Sequence, residues 1–206
     1  MTQYATLDPL AATSMGIAGH DHEMTDHSPA GLEARAELTR STLQALDGAS
    51  PTDEIDQITL AAMRERLGLE LELHESGEFL RYLNNIASPV QNLRDVFDVM
   101  PTDDVEAWSN IAARLNALPF AVDGYIESLR LAASTGAVAA VRQVDEAARQ
   151  AEELADPATS FFTTFITGTA AESSRTASTA VPVMKVVKKD VAGSASSSAW
   201  RAASST

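Results

Sequence analysis

The chain has 206 residues, is 45% hydrophobic and carries a formal charge of -14 at neutral pH with an isoelectric point near 4.5. That is enough apolar material for one ordinary globular core, while so acidic a balance opposes both nucleic-acid phosphates and anionic membranes. The absence of cysteine excludes disulfides, thiolate catalysis and Cys-based zinc sites.

The first element in chain order is a polar N-terminal segment over residues 1–27. Its start, Met1 to Leu10, lacks the basic and continuously apolar stretches of an export signal. No later run approaches the ~20 apolar residues that span a bilayer, so the expectation is a cytoplasmic protein with no membrane partner. Ser28-Pro29 then supplies an N-cap with proline at the first helical position. Leu32, Ala36, Leu43 and Leu46 recur on one face until Asp47-Gly48 stops the helix. Ser50-Pro51-Thr52-Asp53 repeats the device, and Ile55, Ile58, Ala62, Leu69 and Leu73 carry the apolar stripe of a second helix, read as the longest, towards Ser76-Gly77. Ser88-Pro89-Val90-Gln91 is a capping-box pattern for a short helix with Val90, Leu93, Val96 and Phe97 inward. Met100-Pro101 breaks it. Thr102 is the expected cap of a fourth helix, with Val105, Trp108, Ile111, Ala112 and Leu115 on its buried side. Pro119 ends or kinks that helix. A fifth, through Phe120, Val122, Tyr125, Ile126 and Leu129, closes at Gly136, and a sixth runs from Val138 to Leu154 before Asp156-Pro157. Phe161 to Ile166 fits strand or helix equally.

Short connections between amphipathic helices predict an all-α fold, an antiparallel array or bundle of about six helices over residues 28–167. Beyond it, residues 168–206 turn rich in Ser, Thr and Ala. All ten basic residues up to Ala170 are Arg, whereas the three lysines, Lys185, Lys188 and Lys189, fall in this last stretch. It reads as a low-complexity, disordered tail or as a helical region cut short.

For chemistry, the richest stretch is His20-Asp21-His22-Glu23-Met24-Thr25-Asp26-His27, where His20, His22 and His27 are the only candidate metal ligands. Two imidazoles four residues apart share one helix face and can hold zinc together. Here His27 follows His22 by five residues, with a new helix opening at once behind it. The plainer reading is a polar loop in which Asp26 and Ser28 cap that helix. His74-Glu75 fails likewise, because Glu78 stands where a second histidine is needed. Glu72, Glu75 and Glu78 fall on a wet face. Arg81, Arg94, Arg114 and Arg130 could clamp an anion if they converged, but read more simply as surface ion-pair partners. Asn84 and Asn85 suit backbone capping, and Trp108 and Tyr125 suit core anchors with a polar handle. No phosphate loop, nucleophile elbow or dinucleotide fingerprint occurs. Residue chemistry therefore assigns no catalytic, cofactor-binding or metal residue.

The order Gly16-Ile17-Ala18-Gly19-His20-Asp21, Asp26-His27-Ser28-Pro29, Asn84-Asn85-Ile86-Ala87-Ser88-Pro89, Arg94-Asp95-Val96-Phe97-Asp98-Val99-Met100-Pro101, Arg114-Leu115 with Leu118-Pro119, and Val141-Arg142-Gln143-Val144 resembles the N-terminal portion of the bacterial domain-of-unknown-function 885 family. The resemblance runs from Met15 to Phe165. Longer members of that family look like helical, zinc-dependent peptidases with a His-Glu-x-x-Pro-Gly-His motif in their C-terminal part. Neither His22-Glu23 nor His74-Glu75 matches that motif, so no site residue carries over and zinc is implied only for the longer relatives. Asp190-Val191-Ala192-Gly193 and Ala199-Trp200 faintly resemble the family's next helix, which implies a truncated or frameshifted product. The resemblance thus implies a scaffold, inactive alone, whose partner is a missing C-terminal catalytic region. A free-standing helical module that binds a partner helix or self-associates is the alternative.

Overall fold

The computed structural model describes residues 2–156, 158, 160–162 and 165. Among the described residues the protein is all-α, without a strand. In chain order the helices are α1 (Thr2–Leu7), α2 (Pro9–Ser14), α3 (Pro29–Asp47), α4 (Glu54–Glu75), α5 (Pro89–Asp95), α6 (Val105–Ser134) and α7 (Val141–Ala155). Single 3-10 turns occupy Glu78–Arg81 and Val96–Asp98. The tail expected from residue 168 lies outside the described residues.

Local signals place most helix ends. Ser28 Oγ accepts from the Gly31 N–H at 3.2 Å with Pro29 at the first helical position, and Gly48 closes α3. Gln91 reaches back to the Ser88 N–H at 2.9 Å to complete the capping box of α5. Asn84 Oδ1 accepts from the Ile86 and Ala87 N–H groups at 2.8 and 2.7 Å, tying the loop before that cap. Two caps differ from expectation, in each case because a carboxylate two or three residues on takes the role. Asp53 Oδ1 takes the Asp56 N–H at 2.8 Å at the start of α4, and Asp104 Oδ1 takes the Ala107 N–H at 2.8 Å at the start of α6. Thr102 instead offers its carbonyl to Trp108 Nε1 at 3.0 Å.

The fourth and fifth predicted helices are one. Pro119 lies inside α6, which at 30 residues is longer than the 22-residue α4. Proline forfeits the bond to the Leu115 carbonyl and crowds the preceding turn, at about 3 kcal/mol in a helix interior. Burial on both sides offsets that cost: Trp108, Ile111, Leu115 and Leu118 before the proline and Ala121, Val122, Tyr125, Ile126 and Leu129 after it all belong to the core. Val105 and Phe120, placed on the inner side by periodicity, are exposed. The core around α6 is closed by Leu93, Val96 and Phe97, by Val144, Ala147, Ala148 and Ala151 of α7, and by Phe162, whose ring meets Phe97 edge-on at 5.3 Å.

Helices α3 and α4 form an antiparallel hairpin. His74 near the end of α4 meets Glu33 near the start of α3 at 2.9 Å, and Arg64 donates to the Leu46 carbonyl at 2.6 Å. The stripe that α4 turns inward is not the predicted one. Ile55 and Ile58 are 73% and 64% exposed, Leu69 and Leu73 are exposed too, and no residue of α4 is fully buried. Leu60, Leu67, Leu71 and His74, also at helical spacing, are the half-buried side. Apolar residues lie on two faces of α4, and α3 covers one.

The polar segment before Ser28 also contributes to the core. Ala5 of α1 and Leu10 and Ala12 of α2 are buried, and the Leu10 N–H donates to Thr25 Oγ1 at 3.1 Å.

Candidate functional site

The three histidines of the N-terminal segment do not converge. His20 Nδ1 lies 3.1 Å from Glu23 Oε2 and His22 Nε2 lies 3.4 Å from Glu23 Oε1. His27 turns the other way, into the body, edge-on to the Tyr125 ring with centroids 6.3 Å apart. Zinc, implied for longer relatives, finds no fitting donor set: among the described residues no three His, Cys, Asp or Glu side chains are grouped to hold a metal ion.

Of the four arginines singled out by sequence, Arg81 pairs with Glu78, and Arg94 pairs with Asp95 and Asp98. Arg130 is exposed. Arg114 departs from the surface expectation. Fully buried on α6, it donates from Nε to the Glu23 carbonyl and from Nη2 to the His20 carbonyl and Thr13 Oγ1, each at 2.9 Å. Burial pulls its pKa down to about 10, which still leaves it charged at neutral pH. Its role is to stitch the first segment onto α6. Ser128 Oγ adds a second stitch, donating to the His27 carbonyl at 2.7 Å.

His27, held by the second stitch, also lines a cavity of about 250 Å³ between α1, α3, α4 and α6. Its charged and polar lining comprises Asp8, His27, Arg35, Glu70 and the tyrosines Tyr4, Tyr82 and Tyr125, and its apolar lining includes Leu32, Leu71 and Phe79. A neighbouring cavity of about 520 Å³ shares Tyr4, Arg35, Thr39 and Glu70 with it. Arg35 rises from the buried side of α3, where Nη1 donates to the carbonyls of Leu7 at 3.3 Å and Asp26 at 2.8 Å. Its Nε and Nη2 form no hydrogen bond, and its guanidinium no ion pair, among the described residues. Burial lowers the Arg35 pKa, against the opposing pull of Asp8 and Asp26. Asp8 Oδ1 is held by Thr25 Oγ1 at 2.6 Å and by the Ala11 N–H at 3.2 Å, whereas Oδ2 receives only the Tyr4 hydroxyl, at 3.5 Å. Glu70 makes neither hydrogen bond nor ion pair among the described residues, yet its charge is felt by Arg35 and Tyr4.

Burial holds the His27 pKa down at about 4, with Arg35 adding to the effect, so the ring is neutral at pH 7. His27 Nε2 is buried without a hydrogen-bond partner. Burial raises Tyr4 and Tyr125, so both phenols are protonated, and Tyr125 donates its hydroxyl to the Tyr82 carbonyl. The cavity therefore offers one guanidinium, two carboxylates, a neutral imidazole and aromatic faces within a small volume.

Of these residues, sequence reading singled out His27 and Tyr125 and missed Tyr4, Asp8, Arg35, Glu70 and Tyr82. A signal existed for two of them. Arg35 adjoins Leu32, Ala36 and Thr39 on the inner side of α3, and Glu70 sits between Leu67 and Leu71 on that of α4. A charge inside an apolar stripe marks a buried polar feature. Tyr4 and Asp8 carried no such mark.

No curated protein matches the chain. The family model described as bacterial protein of unknown function (DUF885) matches residues 9–201, a span that includes the Arg114 stitch and every cavity residue named above except Tyr4 and Asp8. By that match over most of its length, the chain belongs to the DUF885 family.

Proposed function

We propose that this helical body is the N-terminal scaffold of a larger, zinc-peptidase-like protein, without the catalytic part and inactive by itself. The observation that carries the reading is α4. A 22-residue helix with no fully buried residue and with Ile55, Ile58, Met63, Leu69 and Leu73 exposed retains apolar surface for another element to cover. Helices of a catalytic region would cover it in the whole protein. The histidine arrangement agrees, since His20 and His22 share one carboxylate and His27 faces away from both.

The test is hydrolysis of a peptide pool by the purified chain in the presence of zinc. No turnover is expected, and chelator-sensitive cleavage by this chain alone overturns the reading. The same face of α4 could instead receive a partner helix or a second copy, which would make the chain an interaction module. Size-exclusion chromatography with light scattering separates the two: a monomer at all concentrations fits the scaffold, and a defined oligomer favours the module.

A further inference from the structure

We propose that the cavity between α1, α3, α4 and α6 binds a zwitterionic α-amino acid with an apolar side chain, its carboxylate on Arg35 and its ammonium on Glu70 and Asp8. The argument begins with Arg35. A partly buried guanidinium is commonly matched by a carboxylate, because carbonyls alone compensate the lost hydration of a full charge poorly. Here Nη1 reaches two carbonyls, while Nε and Nη2 are left for a planar, two-oxygen acceptor. Glu70 lines the same cavity with its carboxylate unpaired, and Asp8 presents Oδ2 with a single long contact to Tyr4. Arg35 and Glu70 feel each other's charge without forming an ion pair. Opposite charges held apart across an opening suit a ligand that carries both signs.

Size and lining narrow the class. A volume of about 250 Å³ is room for one amino acid. Leu32, Leu71 and Phe79 provide an apolar wall for its side chain. His27, neutral beside Tyr125, adds no charge to upset the balance. The inference is independent of the scaffold reading, which concerns the outer face of α4.

Calorimetric titration of the full chain with L-leucine is the test, beside leucinamide, which lacks the carboxylate, and 4-methylpentanoate, which lacks the ammonium. Saturable binding of L-leucine is expected, at least tenfold tighter than either analogue. Glu70→Gln should weaken L-leucine binding about tenfold at an unchanged melting temperature, because Glu70 makes no hydrogen bond that the fold needs, and Glu70→Asp should restore part of it. Arg35→Lys should weaken binding similarly. If that variant unfolds, Glu70→Gln still decides. Absence of saturable binding by L-leucine, leucinamide binding as tightly as L-leucine, or Glu70→Gln binding like the parent would each overturn the proposal. Such failure leaves the scaffold reading standing, since that reading is decided by hydrolysis and oligomeric state.

Discussion

At the residue scale, His27 links the cavity to pH. Its folded-state pKa, held by burial at about 4, lies below the ordinary value of 6.5. Between those values the unfolded chain takes up a proton that the folded chain refuses. The stability His27 contributes is thus fully present above pH 6.5 and is lost as pH falls towards 4. Arg35 on α3 reinforces the effect, Asp8 and Asp26 oppose it, and the facing Tyr125 stays uncharged. Urea unfolding at pH 7.5 and pH 5 should differ by roughly 2 kcal/mol for the parent chain, and much of that difference should vanish in His27→Gln. An equal pH dependence in both proteins would show that His27 titrates normally. Arg114 poses a different question, since its removal takes away the buried donor to the Glu23 and His20 carbonyls and to Thr13 Oγ1. Arg114→Met should cost on the order of 3 kcal/mol and raise hydrogen exchange in residues 9–27 before the rest of the chain responds. Uniform loosening would mean that Arg114 merely fills space.

At the scale of elements, two glycines show how close approach constrains the helices. A Cβ on Gly31 would lie 2.3 Å from the Asp26 carbonyl oxygen, a backbone atom that cannot swing aside, whereas a Cβ on Gly68 in the middle of α4 meets nothing within 4 Å. Gly31→Ala should therefore destabilise by about 2 kcal/mol and Gly68→Ala should stabilise by up to about 1 kcal/mol, as read from thermal melts. Loss of stability in both would point to a shared role in packing α3 on α4. The elements also show what the sequence made legible. Ser28, Gly48 and the Ser88–Gln91 box act through neighbours within a few residues, so their pattern in the chain sufficed. Pro119 did not, because what keeps α6 continuous is the burial of the residues on both sides of it in the core, which a local pattern does not show. The inner face of α4 was misassigned for a related reason: two apolar stripes compete there, and only the packing of α3 chooses between them. The cavity was half legible, through His27 and Tyr125. Arg35 and Glu70 could have been found as charges interrupting apolar stripes, whereas Asp8 acquires its place through Thr25, across seventeen residues.

For the whole molecule, the dominant physical fact is its negative charge, -14 by formal count. Compact folding concentrates that charge, and salt screens the repulsion. The melting temperature should rise by several degrees between about 50 mM and 500 mM NaCl. Exposed pairs such as Arg40 with Glu33 and Glu37, and Arg149 with Glu146 and Glu153, pull the other way, but each is worth little at a wet surface. A fall in melting temperature with salt would show that those networks outweigh the global repulsion.

The stitching of the first segment onto α6 has a consequence for the order of events during synthesis. Arg114 and Ser128 bind groups 91 to 105 residues earlier in the chain. At ribosomal speeds of ~5–20 residues per second, α1, α2 and the loop behind them wait roughly 5–20 s for the residues that hold them. Throughout that interval Leu10 and Ala12 have no completed core to enter. Closure of the fold is thus a late, long-range step, slow for an all-helical chain, and the nascent N-terminal segment is the stretch most open to proteases and chaperones until α6 has emerged.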